Sequence, residues 1–167
     1  MNIADIAHAI HESAISSFVR GDEPGTEWVF PIIETVHVLS LTLVFGSIAL
    51  VDLRLLGVSS RQQPFTRVYQ GLISWTWWAF LLAAISGSLL ATGKIEDYIR
   101  SPQVYWKFIL MALAGLNMVL FHFGVFRHVQ EWDVMEPPPP RARLAGAFSL
   151  SCWIGVVFFG RWIGFVT

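Results

Sequence analysis

The chain has 167 residues, of which 54% are hydrophobic, 14% aromatic and only 14% charged. Soluble domains carry about 25% charged residues, so this composition excludes an ordinary soluble domain and indicates an integral membrane protein. The formal net charge of −1 gives no reason to expect a nucleic-acid partner. Because Cys152 is the single cysteine, the chain has no internal disulfide.

The N-terminal segment reads as an interfacial helix. Residues 3–19 repeat apolar side chains at helical spacing and carry His8 and His11 on or beside the polar side. This pattern predicts an amphipathic helix that lies on the membrane surface, because it is too polar to span. Gly and Pro in residues 21–26 predict a turn. We therefore divide the chain into an interfacial segment, 1–26, and a membrane domain, 27–167.

Four apolar stretches follow, each long enough to cross the roughly 30 Å core of a bilayer. The sequence thus predicts an all-α integral membrane four-helix bundle preceded by the amphipathic helix. The predicted spans are residues 28–52, 71–93, 104–126 and 144–166. The second span carries a small residue at every fourth position from Ala79 to Ala91, which allows another helix to approach closely.

Basic residues predict the orientation of the bundle. The connection between the first and second spans and that between the third and fourth hold three arginines each. The other side offers Arg20, Lys94 and Arg100, with Lys107 at the boundary. By the positive-inside rule, we expect the two arginine-rich connections to lie in the cytoplasm and both termini to lie outside.

A first group of ionisable residues lies at the outer end of the predicted bundle. Ionisable side chains within spans are costly and mark candidate functional sites. Glu34 and His37 form Glu-x-x-His on one helical face, a pattern found in bundle metal sites. With His8 and His11 above them, they predict a site for zinc, copper or iron. The alternative is structural: Glu34 pairs with Arg161 and His37 hydrogen-bonds a neighbouring carbonyl.

A second group lies toward the inner end. Met118 and His122 share a face of the third span, and Cys152 of the fourth comes to about the depth of Met118. Met, His and Cys are soft ligands for copper, and a Met/His pair suits haem iron. The alternative is that the Met and Cys side chains only fill the membrane core. His37 and His122 differ in depth by well over ~10 Å, which excludes their ligating the same haem iron.

Other polar residues in the spans predict structural contacts. Asp52 with Arg54 or Arg127 predicts an ion pair that fixes the inner end of the first helix. Asn117, in the middle of the third span, predicts an interhelical hydrogen bond.

The run ETVHVLSLTLVFGSIALVDLRLLG, with the later VYWKFILMALAGLN, resembles an uncharacterised family of small bacterial four-helix integral membrane proteins. The marks of this resemblance are His37, the Gly46-Ser47 pair and the run from Asp52 to Gly57. The chain is also similar, more faintly, to the membrane domain of the copper-resistance D proteins and to haem-binding four-helix membrane proteins. These resemblances imply that His37 is a haem or metal ligand. The resemblance to a bacterial family also implies a multi-pass protein of the bacterial inner (cell) membrane, which places both termini on the periplasmic side.

The predicted function is therefore a small membrane protein that binds haem b or a copper, iron or zinc ion for electron transfer or metal handling. His37 is the main ligand candidate, with His122 and Met118 as further cofactor-binding candidates. Enzyme motifs such as HExxH or a phosphate loop are absent, so we expect no catalytic activity of its own. Two alternatives stay open: an accessory subunit with structural histidines, and a small transporter. Expected partners are the lipid bilayer and other membrane subunits or a second copy of the chain.

Overall fold

The computed structural model describes residues 2–60, 62–134 and 137–166, and within these ranges it is helical without strands. The α-helices in chain order are α1 (Ile3–His11), α2 (Ala14–Arg20), α3 (Val29–Leu55), α4 (Phe65–Gly93), α5 (Ile95–Tyr98), α6 (Pro102–Phe123), α7 (Val129–Trp132) and α8 (Pro140–Val166). A 3₁₀ turn, Val125–His128, joins α6 to α7. The four long helices α3, α4, α6 and α8 have the length and hydropathy needed to cross a membrane. The predicted all-α four-helix membrane fold is confirmed.

Three of the four long helices are longer than predicted at one end of the bundle, whereas α6 ends at Phe123, three residues earlier than predicted. We call this the loop end: α3 and α6 finish there, and α4 and α8 begin there. The opposite end, where α3 and α6 begin and α4 and α8 finish, is the terminal end. At the loop end α3 runs on to Leu55, α4 begins at Phe65, and α8 begins at Pro140. Phe65 is fully buried, so these extra turns are packed against the rest of the protein.

Small side chains let α3 and α4 pack closely along most of their length. The buried residues on this seam are Ser40, Val44 and Ser47 of α3 and Ala79, Ala83 and Ser86 of α4. Thr76 Oγ1 also donates a hydrogen bond of 2.8 Å to Ser47 Oγ across it. The small-residue stripe predicted for the second span therefore does face another helix.

The helices form two closely packed pairs, α3 with α4 and α6 with α8, which are joined by contacts between α3 and α8. In the described ranges, α4 and α6 are not among the closely packed pairs. They meet at the loop end through aromatic rings, where Phe65 and Tyr69 of α4 lie against Phe121 and against Phe126 of the 3₁₀ turn. The side of the bundle between α4 and α6 is thus held mainly at one end.

Two contacts set the register of α6 on α8. Asn117 Nδ2 donates to the Ala145 carbonyl at 3.1 Å, which confirms the predicted interhelical hydrogen bond. Toward the terminal end, Leu110 Cδ1 packs onto Gly155, where an added β-carbon would meet it at 2.7 Å.

The N-terminal segment is two helices, not the predicted single one. Ser13 interrupts it, because its Oγ donates to the Ile10 carbonyl at 2.6 Å and accepts from the Ser16 amide at 3.3 Å, which caps α2. Within the segment, Arg20 donates to the His11 carbonyl at 2.8 Å, which ties α2 to α1. The buried Ser16 donates to the Thr92 carbonyl of α4 at 3.0 Å, and this bond, with contacts of α2 with α4 and of α1 with α5, docks the segment on the terminal end of the bundle.

Arg54 fastens the connections at the loop end. Its side chain is buried, and it donates from Nε to the Gln63 carbonyl at 3.0 Å and from Nη2 to the Asp133 carbonyl at 3.2 Å. The carboxylate of Asp133 in turn accepts from the amide and hydroxyl of Thr66, each at 2.8 Å, at the start of α4. The arginine therefore stabilises both connections through their backbones.

Candidate functional site

The first-span histidine is oriented by a serine of the neighbouring helix. His37 Nδ1 lies 3.0 Å from Ser86 Oγ. Ser86 Oγ also lies 2.7 Å from the Leu82 carbonyl, to which it donates its single hydrogen. In the tautomer that carries its proton on Nδ1, the serine oxygen accepts from Nδ1–H. The lone pair of the ring is then on Nε2.

The ring of His37 lies directly on the backbone of α4. A β-carbon added at Gly87 would come 2.7 Å from Cε1 of the ring and 3.5 Å from Nε2. Only glycine leaves room for the ring at this position. Ser86 therefore holds the imidazole by a hydrogen bond, and Gly87 allows it to pack against the backbone of α4.

Lys107 of α6 is a basic residue at about the level of this histidine. The side chain is half-buried and passes α8 at Gly160, where a β-carbon would lie 3.8 Å from Nζ. Among the described residues, no carboxylate forms an ion pair with Lys107. This basic group within a span thus has no counter-charge in the part of the chain that the structure describes.

These residues form one layer across the bundle. From the helix bounds, His37 lies about 12 Å along α3 from the terminal end, and Ser86 about 10 Å along α4. Lys107 and Gly160 lie about 8 and 9 Å along α6 and α8. All four long helices therefore contribute to a polar layer in the terminal half of the membrane region.

Glu34, the other half of Glu-x-x-His, is exposed on α3. The pKa of Tyr98 on α5 is raised above its usual value by burial, then by the charges of Asp97 and Glu34. Glu34 is thus within electrostatic range of α5.

The N-terminal histidines have partners of their own. His8 Nδ1 lies 3.0 Å from Glu96 Oε1 on α5, and His11 Nδ1 lies 3.4 Å from the Arg20 guanidinium. Across residues 2–60, 62–134 and 137–166, no three His, Cys, Asp or Glu side chains are grouped so as to hold a metal ion. The predicted four-ligand outer site is not assembled in this arrangement.

The soft-ligand group at the other end is also not assembled. His122 lies in the last turn of α6, exposed, with its ring stacked on Phe126 at 4.8 Å between centroids. Met118 is exposed, whereas Cys152 is buried on α8. The register set by Asn117 and Leu110 places Cys152 nearer the level of Leu110 than of Met118. The expected common depth was wrong because α8 begins at Pro140, earlier than predicted.

The predicted ion pair of Asp52 is not formed in the described structure. Asp52 is buried on the side of α3 that faces α8, where a β-carbon at Gly146 would lie 3.0 Å from the Asp52 carbonyl oxygen. Its Oδ2 has no hydrogen-bond partner among the described residues. Positions 52 and 54 are about 200° apart on a helix, so Arg54 points away into the loop connections. Arg127 is exposed, with its guanidinium 5.7 Å from the Phe123 ring centroid.

Arg161 and one cavity lie outside the group formed by His37, Ser86 and Gly87. Arg161 is exposed on α8, one residue beyond Gly160 of the polar layer. An open cavity of about 300 Å³ lies between α6 and α8 at the loop end, with Asn117 and Arg141 in its lining. It contains neither His37 nor Lys107, so it is separate from the polar layer.

Sequence reasoning found His37 but missed the residues around it. Ser86 is an ordinary serine in an apolar span, and Lys107 reads as a residue of the span entrance. The available signal was the small-residue stripe, which includes Gly87 and pointed to the face of α4 that receives the ring.

Fold and site together define a multi-pass helical membrane protein with a histidine–lysine layer inside its four-helix bundle. The chain belongs to a family of unknown function, DUF6644, whose profile matches residues 13–166. The match includes the two runs that carry the resemblance to an uncharacterised family, whereas it gives no support to a relationship with the copper-resistance D or haem-binding proteins. No curated protein and no solved structure matches the chain.

Proposed function

We propose that this protein binds haem b inside the membrane, with Nε2 of His37 as the ligand to the iron. The observation that carries the proposal is the bond between His37 Nδ1 and Ser86 Oγ. Histidines that ligate metals almost always donate their other ring N–H to a fixed acceptor, which sets the tautomer and the ring direction. Ser86, itself held by the Leu82 carbonyl, is such an acceptor.

Haem suits these residues better than a bare metal ion. A copper, zinc or iron ion held by protein alone needs several ligands, and no such group occurs in the described ranges. The charge of Lys107 would also repel a bare cation next to His37. A macrocycle brings four of its own ligands and needs one or two from the protein. The side of the bundle between α4 and α6, which is packed mainly at the loop end, offers the place where a flat ring would enter beside His37.

The residues of the chain then have separate tasks. His37 would coordinate the iron, Ser86 would orient the ring through Nδ1, and Gly87 leaves room for the ring against α4. The apolar helices around the layer limit access of water, which is one means by which a protein sets the potential of its cofactor. Bound haem would supply one-electron redox chemistry, so the role is electron transfer.

We further propose that the protein lies in the cell (inner) membrane with both termini outside. The support is the set of arginines at the loop end, since loops retained inside carry the excess of Lys and Arg. In this orientation the layer around His37 lies in the outer half of the bilayer. A cysteine placed near the N-terminus, labelled from outside by a membrane-impermeant reagent in the otherwise Cys152→Ser protein, tests this.

The test of the main proposal is an absorption spectrum, with metal analysis, of protein solubilised in mild detergent. We expect a haem Soret band that His37→Ala removes. Colourless protein that also fails to take up added haem would contradict the proposal. If such protein co-purifies with other membrane proteins at fixed stoichiometry, the accessory-subunit alternative replaces it.

A further inference from the structure

We infer that Lys107 binds a carboxylate of an apolar, membrane-dissolved ligand, and that the layer around His37 is the site where it does so. The inference deepens the proposed function, because haem b carries two propionate carboxylates. It rests on that function for the identity of the ligand but not for its chemistry, since a fatty acid presents the same group.

The first argument is the cost of an uncompensated charge. A lysine near the end of a span usually extends to the interface, where water solvates its ammonium. Lys107 instead lies half-buried along α8 at Gly160, at about the level of His37. Among the described residues it has no carboxylate partner, although Glu96 and Asp97 lie on the adjacent α5. A ligand that supplies the missing negative charge would stabilise this arrangement.

The second argument is the number of donors, which distinguishes a carboxylate from a phosphate. Phosphate sites generally gather several donors, such as an arginine fork or a row of backbone amides. Around Lys107 the helical backbone amides are engaged, and the imidazole N–H of His37 is taken by Ser86. One ammonium remains, which matches one singly charged carboxylate. The apolar surroundings require that the rest of the ligand be apolar as well.

The third argument is position. Counted from the loop end, where α3 and α6 finish, His37 lies about 27 Å along α3 and Lys107 about 24 Å along α6. The two residues are therefore at nearly the same level of the bundle. A ligand held by His37 would present an acidic group at its edge to Lys107 at that level.

The experiment compares free haem with its dimethyl ester, which has the same ring but no free carboxylate, in titrations of the purified protein followed by absorbance. We expect the wild type to bind free haem about ten-fold or more tightly than the ester. Lys107→Met removes this preference, and Lys107→Arg keeps most of it. Lys94→Met, which removes an exposed lysine at the same end, is the matched control and leaves the preference unchanged. His37→Ala weakens binding of both forms, which separates the ligand role of His37 from the role of Lys107.

Equal affinity of the wild type for the acid and the ester overturns the inference, even if His37 ligates both. If neither form binds, the proposed function fails and the carboxylate is tested by itself. Thermal unfolding is then measured with oleic acid, with methyl oleate, and in phosphatidylglycerol or phosphatidylcholine nanodiscs. Stabilisation by oleic acid but not by its ester, lost in Lys107→Met, supports a fatty-acid ligand. Stabilisation by phosphatidylglycerol alone, or no Lys107-dependent effect, overturns the carboxylate assignment.

Discussion

The imidazole of His37 lies on Gly87 so closely that a β-carbon there would stand 2.7 Å from Cε1. This contact between α3 and α4 fixes where the ring sits, as the Ser86 hydrogen bond fixes how it is turned. Both constraints come from α4, so the properties of the histidine depend on a helix other than its own.

Gly87→Ala is expected to displace the His37 ring and to destabilise the protein by about 1–3 kcal/mol, the usual cost of overpacking a filled site. Thermal unfolding in detergent measures the effect, and the haem titration shows whether the displaced ring still binds. Gly46→Ala is the matched control, because a β-carbon there meets nothing within 4 Å. That variant should be neutral or slightly stabilised, since alanine is the better helix former. Equal behaviour of the two variants would show that the ring does not lie on Gly87.

Ser86→Ala removes the acceptor of the His37 Nδ1–H without changing the size of the side chain much. We expect haem affinity to fall about 10–100-fold, as for other groups that orient a metal ligand. Ser151→Ala is the control, because Ser151 is exposed and its hydroxyl bonds only the Ala147 carbonyl of its own helix. A loss of affinity in the Ser151 variant as large as in the Ser86 variant would point to a general effect on the fold.

Arg54→Gln tests how much the buried arginine stabilises the two connections at the loop end. The variant loses the bonds to the Gln63 and Asp133 carbonyls, so we expect a loss of about 2–3 kcal/mol in the free energy of unfolding. Arg127→Gln removes the same charge from an exposed position and should change the stability by less than about 0.5 kcal/mol. Because the hydrogen bonds of Arg54 lie at the opposite end of α3 from His37, the haem affinity of the folded Arg54 variant should be unchanged. A selective loss of haem binding would contradict this separation.

Tyr98 gives a pH-dependent signal at the terminal end. Its pKa is raised by burial first, then by Asp97 and by Glu34, so the folded protein favours the neutral phenol. Burial of the neutral phenol therefore contributes to the free energy of unfolding. This contribution is fully present below the ordinary tyrosine pKa of about 10 and is lost as the pH rises through the raised pKa of Tyr98. Glu34→Gln removes a negative charge and should lower the Tyr98 pKa. Tyrosinate absorbance measures this, with Tyr98→Phe to assign the signal and Glu131→Gln as the control. An unchanged pKa in Glu34→Gln would place Glu34 away from Tyr98.

The fold was predictable because long apolar segments have few alternatives in a bilayer, where every backbone group must be bonded within the helix. The residues surrounding His37 were not predictable in the same way. Ser86 and Lys107 reach it from two other helices, and their placement depends on helix register, which composition does not specify. The expected depth of Cys152 was wrong for a related reason: α8 begins inside the proline run, at Pro140, and this shifts the residue relative to α6.

Local hydrogen bonds explain the remaining differences. Ser13 looks like one polar residue in an amphipathic repeat, yet its hydroxyl ends α1 and starts α2. Asp52 and Arg54 look like an ion pair in sequence, but the helix turns them to different sides. The first difference thus comes from hydrogen bonds between residues near in sequence, and the second from the geometry of a single helix.

The central claim is that His37 is the haem ligand, and the most direct measurement is a haem titration of wild type, His37→Ala and His122→Ala, followed at the Soret band. The account predicts that wild type and His122→Ala bind haem with the same spectrum and affinity, because His122 lies at the loop end of α6. His37→Ala should lose the bound spectrum while keeping its helical content by circular dichroism. Retention of the wild-type spectrum in folded His37→Ala, or its loss in His122→Ala, would contradict the account.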